Sequence, residues 1–138
     1  VSQKTVRAVL EGRLATWAAA RSPALPVAWE NVPYSPTQGA TYLRAYVLPA
    51  DTIDETLAGG HRAYRGVFQV SIVCPINAGP GVAAGIADEL NTQFPVNGRY
   101  TSGAITVQII TPASAAPALQ DESTFVVPVS IGYRCDTI

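Results

Sequence analysis

Apolar residues recur at helical spacing over the first twenty positions: Val6, Val9, Leu10, Leu14 and Trp17 fall on one side of a helix, with Arg13 among them. Ser2 is placed to cap its start and alanines fill the remainder, so an amphipathic helix is predicted from Ser2 to about Ala20. Arg21-Ser22-Pro23 stops it, because a proline pushes the preceding residue out of the α region. A short extended piece is expected at Val27–Val32, after which Pro33, Pro36 and Gly39 mark a loop. From Ala40 to Leu48 the period becomes two, with Tyr42, Arg44 and Tyr46 alternating with Leu43, Ala45 and Val47: a strand with one apolar face. Pro49 to Arg62 has three acids, paired glycines and little periodicity, and reads as a long loop.

A second strand follows, with Phe68, Val70, Ile72 and Cys74 on one face and Gln69 and Ser71 on the other, placed to pair with the first as a wide hairpin. Pro75 ends it. Gly79-Pro80-Gly81 opens a second helix in which Val82, Ile86, Leu90 and Phe94 recur at i, i+4, with Pro80 suited to the first helical position and Pro95 closing it. Its opposite face carries Asp88, Asn91 and Gln93. The rest is β: Ala104–Thr111 with Ile105, Val107 and Ile109 inward, a Pro/Ala/Ser loop over Pro112–Gln120, then Thr124–Cys135 with Phe125, Val127, Val129, Ile131 and Tyr133 inward. Pro128 within that last strand predicts a sheet edge or a bulge, since proline cannot donate to the ladder. The order gives an α+β fold: a mixed, mostly antiparallel β-sheet flanked on one face by two amphipathic helices, as a single domain over residues 1–138.

Composition agrees with one well-filled core. Val, Ile, Leu and Phe make up 35 of 138 residues, and a chain of this length needs neither metal nor disulfides to fold. No cofactor is expected. Nine basic residues, only one of them a lysine (Lys4), against ten acids leave a net charge of −1, without the basic footprint of a sequence-specific nucleic-acid binder. No apolar run approaches a membrane span, the N-terminal pattern is that of a helix and not a signal peptide, and Cys74 and Cys135 read as reduced, buried thiols of a cytoplasmic protein.

Catalytic chemistry finds little footing. Gly79-x-Gly81-x-x-x-Gly85 lies where a dinucleotide loop would, but Pro80 removes an N–H that a phosphate would use, and neither a following parallel strand nor a ribose-binding acid is in place. His61, the sole histidine, follows Gly59-Gly60 with no nucleophile elbow elsewhere, and one histidine with two distant cysteines forms no metal cluster. Neither a catalytic nor a metal site is expected. Tyr and Arg instead stand together, at Tyr42, Arg44 and Tyr46 on one strand face and at Arg62, Tyr64 and Arg65 on re-entry to the next strand, the residue types enriched at protein contacts. The tyrosine row reads equally as a second buried sheet face.

Several blocks carry a resemblance. The opening SQKTVRAVLEGRLATWAAARS, W-E-N-x-P-Y at Trp29–Tyr34, T-Y-L-R-A-Y-V-L-P, R-G-V-F-Q-V-S-I-V-C-P, G-x-A-x-x-I-A-D-E-L, I-T-V-Q-I-I-T-P and the closing P-V-S-I-G-Y-R resemble the tail terminator proteins of long, flexible-tailed bacteriophages and related prophages. The likeness runs nearly the whole length. It implies a structural, non-enzymatic virion protein, six copies of which form a ring on the end of the tail tube, stop further tube subunits from adding and present the surface that joins the DNA-filled head. Implied partners are further copies of the chain, the tail tube protein and a head–tail connector protein, with DNA passing through the ring without sequence-specific binding and assembly taking place in the bacterial host cytoplasm. A head–tail connector or tail-completion subunit would share the ring logic. A small ligand-binding or hydrolytic α+β domain would instead show a polar pocket around His61 or the Gly79–Gly81 turn. The residues expected to contact a neighbouring subunit or the tube are those of the Pro49–Arg62 loop and its exit: Asp51, Asp54, Glu55, His61, Arg62, Tyr64 and Arg65.

Overall fold

The computed structural model describes residues 3–36, 39–54, 57, 59–77, 79–103, 105–120 and 124–137. Helix α1 (Gln3–Ala20) buries Val6, Leu10, Leu14 and Ala18, an i, i+4 stripe with Val9 and Trp17 packed at its margin. The expected cap Ser2 lies outside the described residues. Eight strands follow around a second helix: β1 (Val27–Trp29), β2 (Tyr42–Pro49), β3 (Arg62–Pro75), α2 (Gly81–Gln93), β4 (Arg99–Ser102), β5 (Ile105–Ile109), β6 (Ser114–Ala115), β7 (Leu119–Gln120) and β8 (Thr124–Thr137). Ala104, the expected start of β5, also lies outside the described residues.

The sheet runs β1-β2-β3-β8-β5-β4, antiparallel throughout except for β1, which is parallel to β2. The expected hairpin of β2 and β3 is present, in a register that puts Leu43 opposite Ile72, Ala45 opposite Val70 and Val47 opposite Phe68. β8 pairs with β3 over its whole length and so continues the same inward rows with Ile131, Val129 and Val127. These side chains, together with Val107, Ile109 and the buried stripes of both helices, form one core, so both helices cover the same face. Fully burying each Leu or Ile there contributes about 1.5–3 kcal/mol.

Several expectations change. In α2 the buried residues are Ala83, Ile86 and Leu90, with Phe94 at the C-cap, while Val82 is 49% exposed; Pro80 is the N-cap residue and not the first of the helix. Pro128 is not at an edge, because β8 is central and Pro128 stands opposite Ser71. Its carbonyl accepts the Ala116 N–H at 2.8 Å, and in a strand the N and C=O of one residue point to the same side. The missing N–H therefore faces the gap between β6, which pairs with residues 129 and 130, and β7, which pairs with 125 and 126. These two short strands also replace part of the expected loop over Pro112–Gln120.

A further change is at β1, which ends at Trp29 and not Val32: Asn31 turns the chain at φ 55°, and the Glu30 carboxylate reaches across to accept the Val47 N–H at 2.6 Å and to meet Arg7 at 2.9 Å. Glu30 thus supplies β2 with the acceptor that a longer β1 would have offered.

Gly66 is fixed by sterics. A Cβ there would lie 2.5 Å from the Leu48 carbonyl oxygen and 2.8 Å from the Tyr133 hydroxyl. That hydroxyl, on a fully buried ring, donates to Gln3 Oε1 at 2.9 Å and ties the first helix to the last strand.

Candidate functional site

Both ends of the Pro49–Arg62 segment, expected as a long loop, belong to the sheet. Arg62 already belongs to β3, and Ile53 pairs with Ala63 through N–O contacts of 3.3 and 2.8 Å, so the hairpin continues past the end of β2. Arg62 closes the base of the loop: Nη1 donates to the carbonyl oxygens of Gly59 (2.7 Å) and His61 (2.9 Å) and to Asp54 Oδ2 (3.1 Å). Gly59 makes this turn at φ 74°, a conformation favouring glycine. At the far side of the base, His61 Nε2 lies 3.0 Å from Asp136 Oδ1, and Asp136 is gripped through both oxygens by Arg134 Nε at 3.0 Å each. Arg134 holds the Asp136 carboxyl below the usual aspartate range, burial opposes this, and His61 adds to the lowering.

Of the seven expected contact residues, the structure therefore joins Asp54 with Arg62 and sets His61 on Asp136, while Arg65 Nε points at the Asp51 carbonyl oxygen at 3.5 Å. Tyr64 faces inward, half-buried against the core. Glu55 lies outside the described residues. The periodic pattern gave no sign of Arg134 or Asp136, which stand some seventy residues from the loop in sequence and reach it through the β3–β8 register that pairs Ala63 with Asp136 and Arg65 with Arg134. At the loop tip, Leu57 is wholly exposed.

The Tyr42, Arg44 and Tyr46 row lies on the sheet face away from both helices. Tyr42 is nevertheless 5% exposed, covered by the Tyr34 ring at 5.3 Å and by Arg44, which donates to its hydroxyl at 2.8 Å. Arg44 and Tyr46 remain half-buried.

A groove of about 630 Å³ runs between α1 and β4, lined by residues that include Val9, Thr16, Trp17 and Thr101. Arg13 forms its floor. The guanidinium lies 4.0 Å from the Tyr100 ring centroid, and Nε donates to the carbonyl of Gln93, the last residue of α2, at 2.7 Å. A cation there complements the C-terminal end of the helix dipole.

Among the described residues, no catalytic side chains gather about either place expected of an enzyme alternative. His61 is held against the Asp136 carboxylate that Arg134 also grips. The described residues that line the hollow beside the Gly79–Gly81 turn, about 200 Å³, are Pro75, Asn77, Gly79, Pro80, Gln120 and Phe125, none of them titratable. Cys74 and Cys135 are buried free thiols, and burial raises the pKa of both. Among the described residues no three His, Cys, Asp or Glu side chains gather as for a metal ion, and no helix is long and apolar enough to cross a membrane.

No curated protein matches the chain. One solved structure, whose name states no function, superposes with a TM-score of 0.85 at 46% identity, covering 100% of this chain and 98% of the other. The family model described as phage tail terminator protein matches residues 5–133, a span that takes in both helices and nearly all of the sheet. The chain belongs to the phage tail terminator family and is a structural protein of the phage tail.

Proposed function

We propose that this protein ends tail-tube growth: copies of the chain, six in number, close into a ring on the last tube ring, block further subunits and offer the head its joining surface. The observation that carries this reading is the family match across residues 5–133. The fold supports it, because a rigid sheet covered by helices on one face leaves its other face, its loop end and its outer strands for contacts. A ring requires a heterologous interface, in which one patch of each subunit meets a different patch of the next and the rotation closes. The partners are then further copies, the tube protein and a head–tail connector protein. A net charge of −1 suits a channel through which DNA passes without being gripped. Assembly takes place in the bacterial host cytoplasm, and the finished ring resides in the virion tail.

The mass of the purified protein, measured by light scattering across a concentration series with electron microscopy of any large species, tests ring closure. A discrete closed ring of about six chains is expected. Open filaments or aggregates of unlimited size would contradict closure.

A further inference from the structure

The groove between α1 and β4 and the tip of the β2–β3 loop are complementary, and they lie on different parts of the molecule. The groove wall is apolar at Val9 and Trp17. Lys4 and Arg13 on α1 and Arg99 on β4 make no ion pair with a carboxylate among the described residues, so the elements bounding the groove carry unbalanced positive charge. β4 is the terminal strand of the sheet and offers an open backbone edge to an extended segment. The loop has the opposite character: Asp54 is taken up by Arg62, but Asp51 and Glu55 add two further acids to the segment before it, and Leu57 is fully exposed at its tip. β8 and β5 separate β3 from β4, which at roughly 4.8 Å per strand sets loop and groove about 14 Å apart across the sheet. Two distinct, laterally displaced patches of opposite charge are what a head-to-tail contact needs and what a two-fold contact does not.

We propose that the α1–β4 groove of one copy receives the β2–β3 loop of the next, with Leu57 seated against Val9 and Trp17 and the acidic side of the loop facing Arg13. The occupant is a second copy of this chain. The inference rests on the ring reading above and names the surfaces that build the ring. Arg13 suits the role because its ring stack and its bond to Gln93 fix the guanidinium while leaving its terminal nitrogens without a hydrogen-bond or ion-pair partner among the described residues.

Cross-linking tests it. Thr16 is exposed in the groove, and both native thiols are buried, so a Leu57→Cys, Thr16→Cys double variant treated with a short bis-maleimide reads out the contact directly. Under conditions where light scattering shows the assembled species, a ladder of covalent oligomers is expected. The two single variants mixed together should give covalent dimers and nothing larger. An assembled ring that yields no ladder, that cross-links equally well through Val82→Cys on α2 in place of Thr16→Cys, or that links Leu57→Cys only to the tube protein would overturn the groove assignment and leave the ring standing. Chains that stay monomeric even on tube ends would overturn the ring reading, and this inference with it. Leu57→Asp adds a second readout: with the thermal midpoint unchanged, self-association should weaken about tenfold or more, the loss expected for one buried leucine anchor. Unchanged association would count against the proposal.

Discussion

His61, Arg134 and Asp136 show what residue-scale reading can and cannot reach. A lone histidine after paired glycines marks an exposed polar loop position; His61 does stand in the loop, but its side chain is only 12% exposed, covered where it meets Asp136. Its carboxylate partner comes from the last strand, and no local spacing announces a pairing set by strand register. Asp136 makes a testable contribution to stability. Its folded pKa lies below the ordinary aspartate value, chiefly because of Arg134, so its stabilisation is fully present above that value and is lost as the pH falls through the folded pKa. The carboxylate is 45% exposed, so solvent screening keeps the contribution small, below about 1 kcal/mol. Urea unfolding should show the native chain more stable than Asp136→Asn above about pH 4.5 and the two converging below it. A difference that persists undiminished at pH 2.5 would contradict the pairing. Burial holds the Cys74 and Cys135 thiols protonated, consistent with cysteines that serve the core.

At the scale of elements, α2 explains why one sequence expectation failed inside a helix correctly placed. Residues spaced i, i+4 advance 40° beyond a full turn at each step, about 120° over the three steps from Val82 to Phe94. In α2 the buried arc is centred on Ile86 and Leu90 and leaves Val82 outside it, although α1 keeps four residues of the same spacing buried. Ala83, three residues before Ile86, takes the buried place and Val82 turns to solvent. Ile86→Ala should therefore cost about 2–5 kcal/mol in chemical denaturation, and Val82→Ala no more than about 0.5 kcal/mol. Equal losses would contradict the observed helix rotation. The strands were legible because their alternation is clean at Leu43, Ala45 and Val47 and at Phe68, Val70 and Ile72. The place of Pro128 was not, since the rule that excludes proline from central strands concerns only the side its N–H would face, and in β8 that side meets a gap between two short strands. The short β1 was similarly hidden, because a side-chain carboxylate, Glu30, stands in for backbone.

For the whole molecule, the α+β class followed from two helical and several strand periods in one chain, and the family followed from blocks spread over nearly its full length. Pattern could not order the sheet. The order β1-β2-β3-β8-β5-β4 places the last strand at the centre, next to the third, through pairings between residues far apart in sequence, from Pro75 with Thr124 to Arg62 with Thr137. That arrangement carries the β2–β3 loop and the α1–β4 groove on one rigid body, and rigidity is what a ring needs to close at a fixed number of copies. The Arg21–Glu89 pair, with contacts of 2.9 to 3.1 Å, links the end of the first helix to the second and belongs to the same rigid frame.

The most direct measurement of the proposed role is the length distribution of tail tubes polymerised from the tube protein with and without this protein, read by electron microscopy. Addition at a stoichiometry of one ring per tube should arrest growth and leave a distinct layer of density on one end only. Tubes that go on lengthening in its presence, or that carry it along their sides or on both ends alike, would contradict a terminating ring.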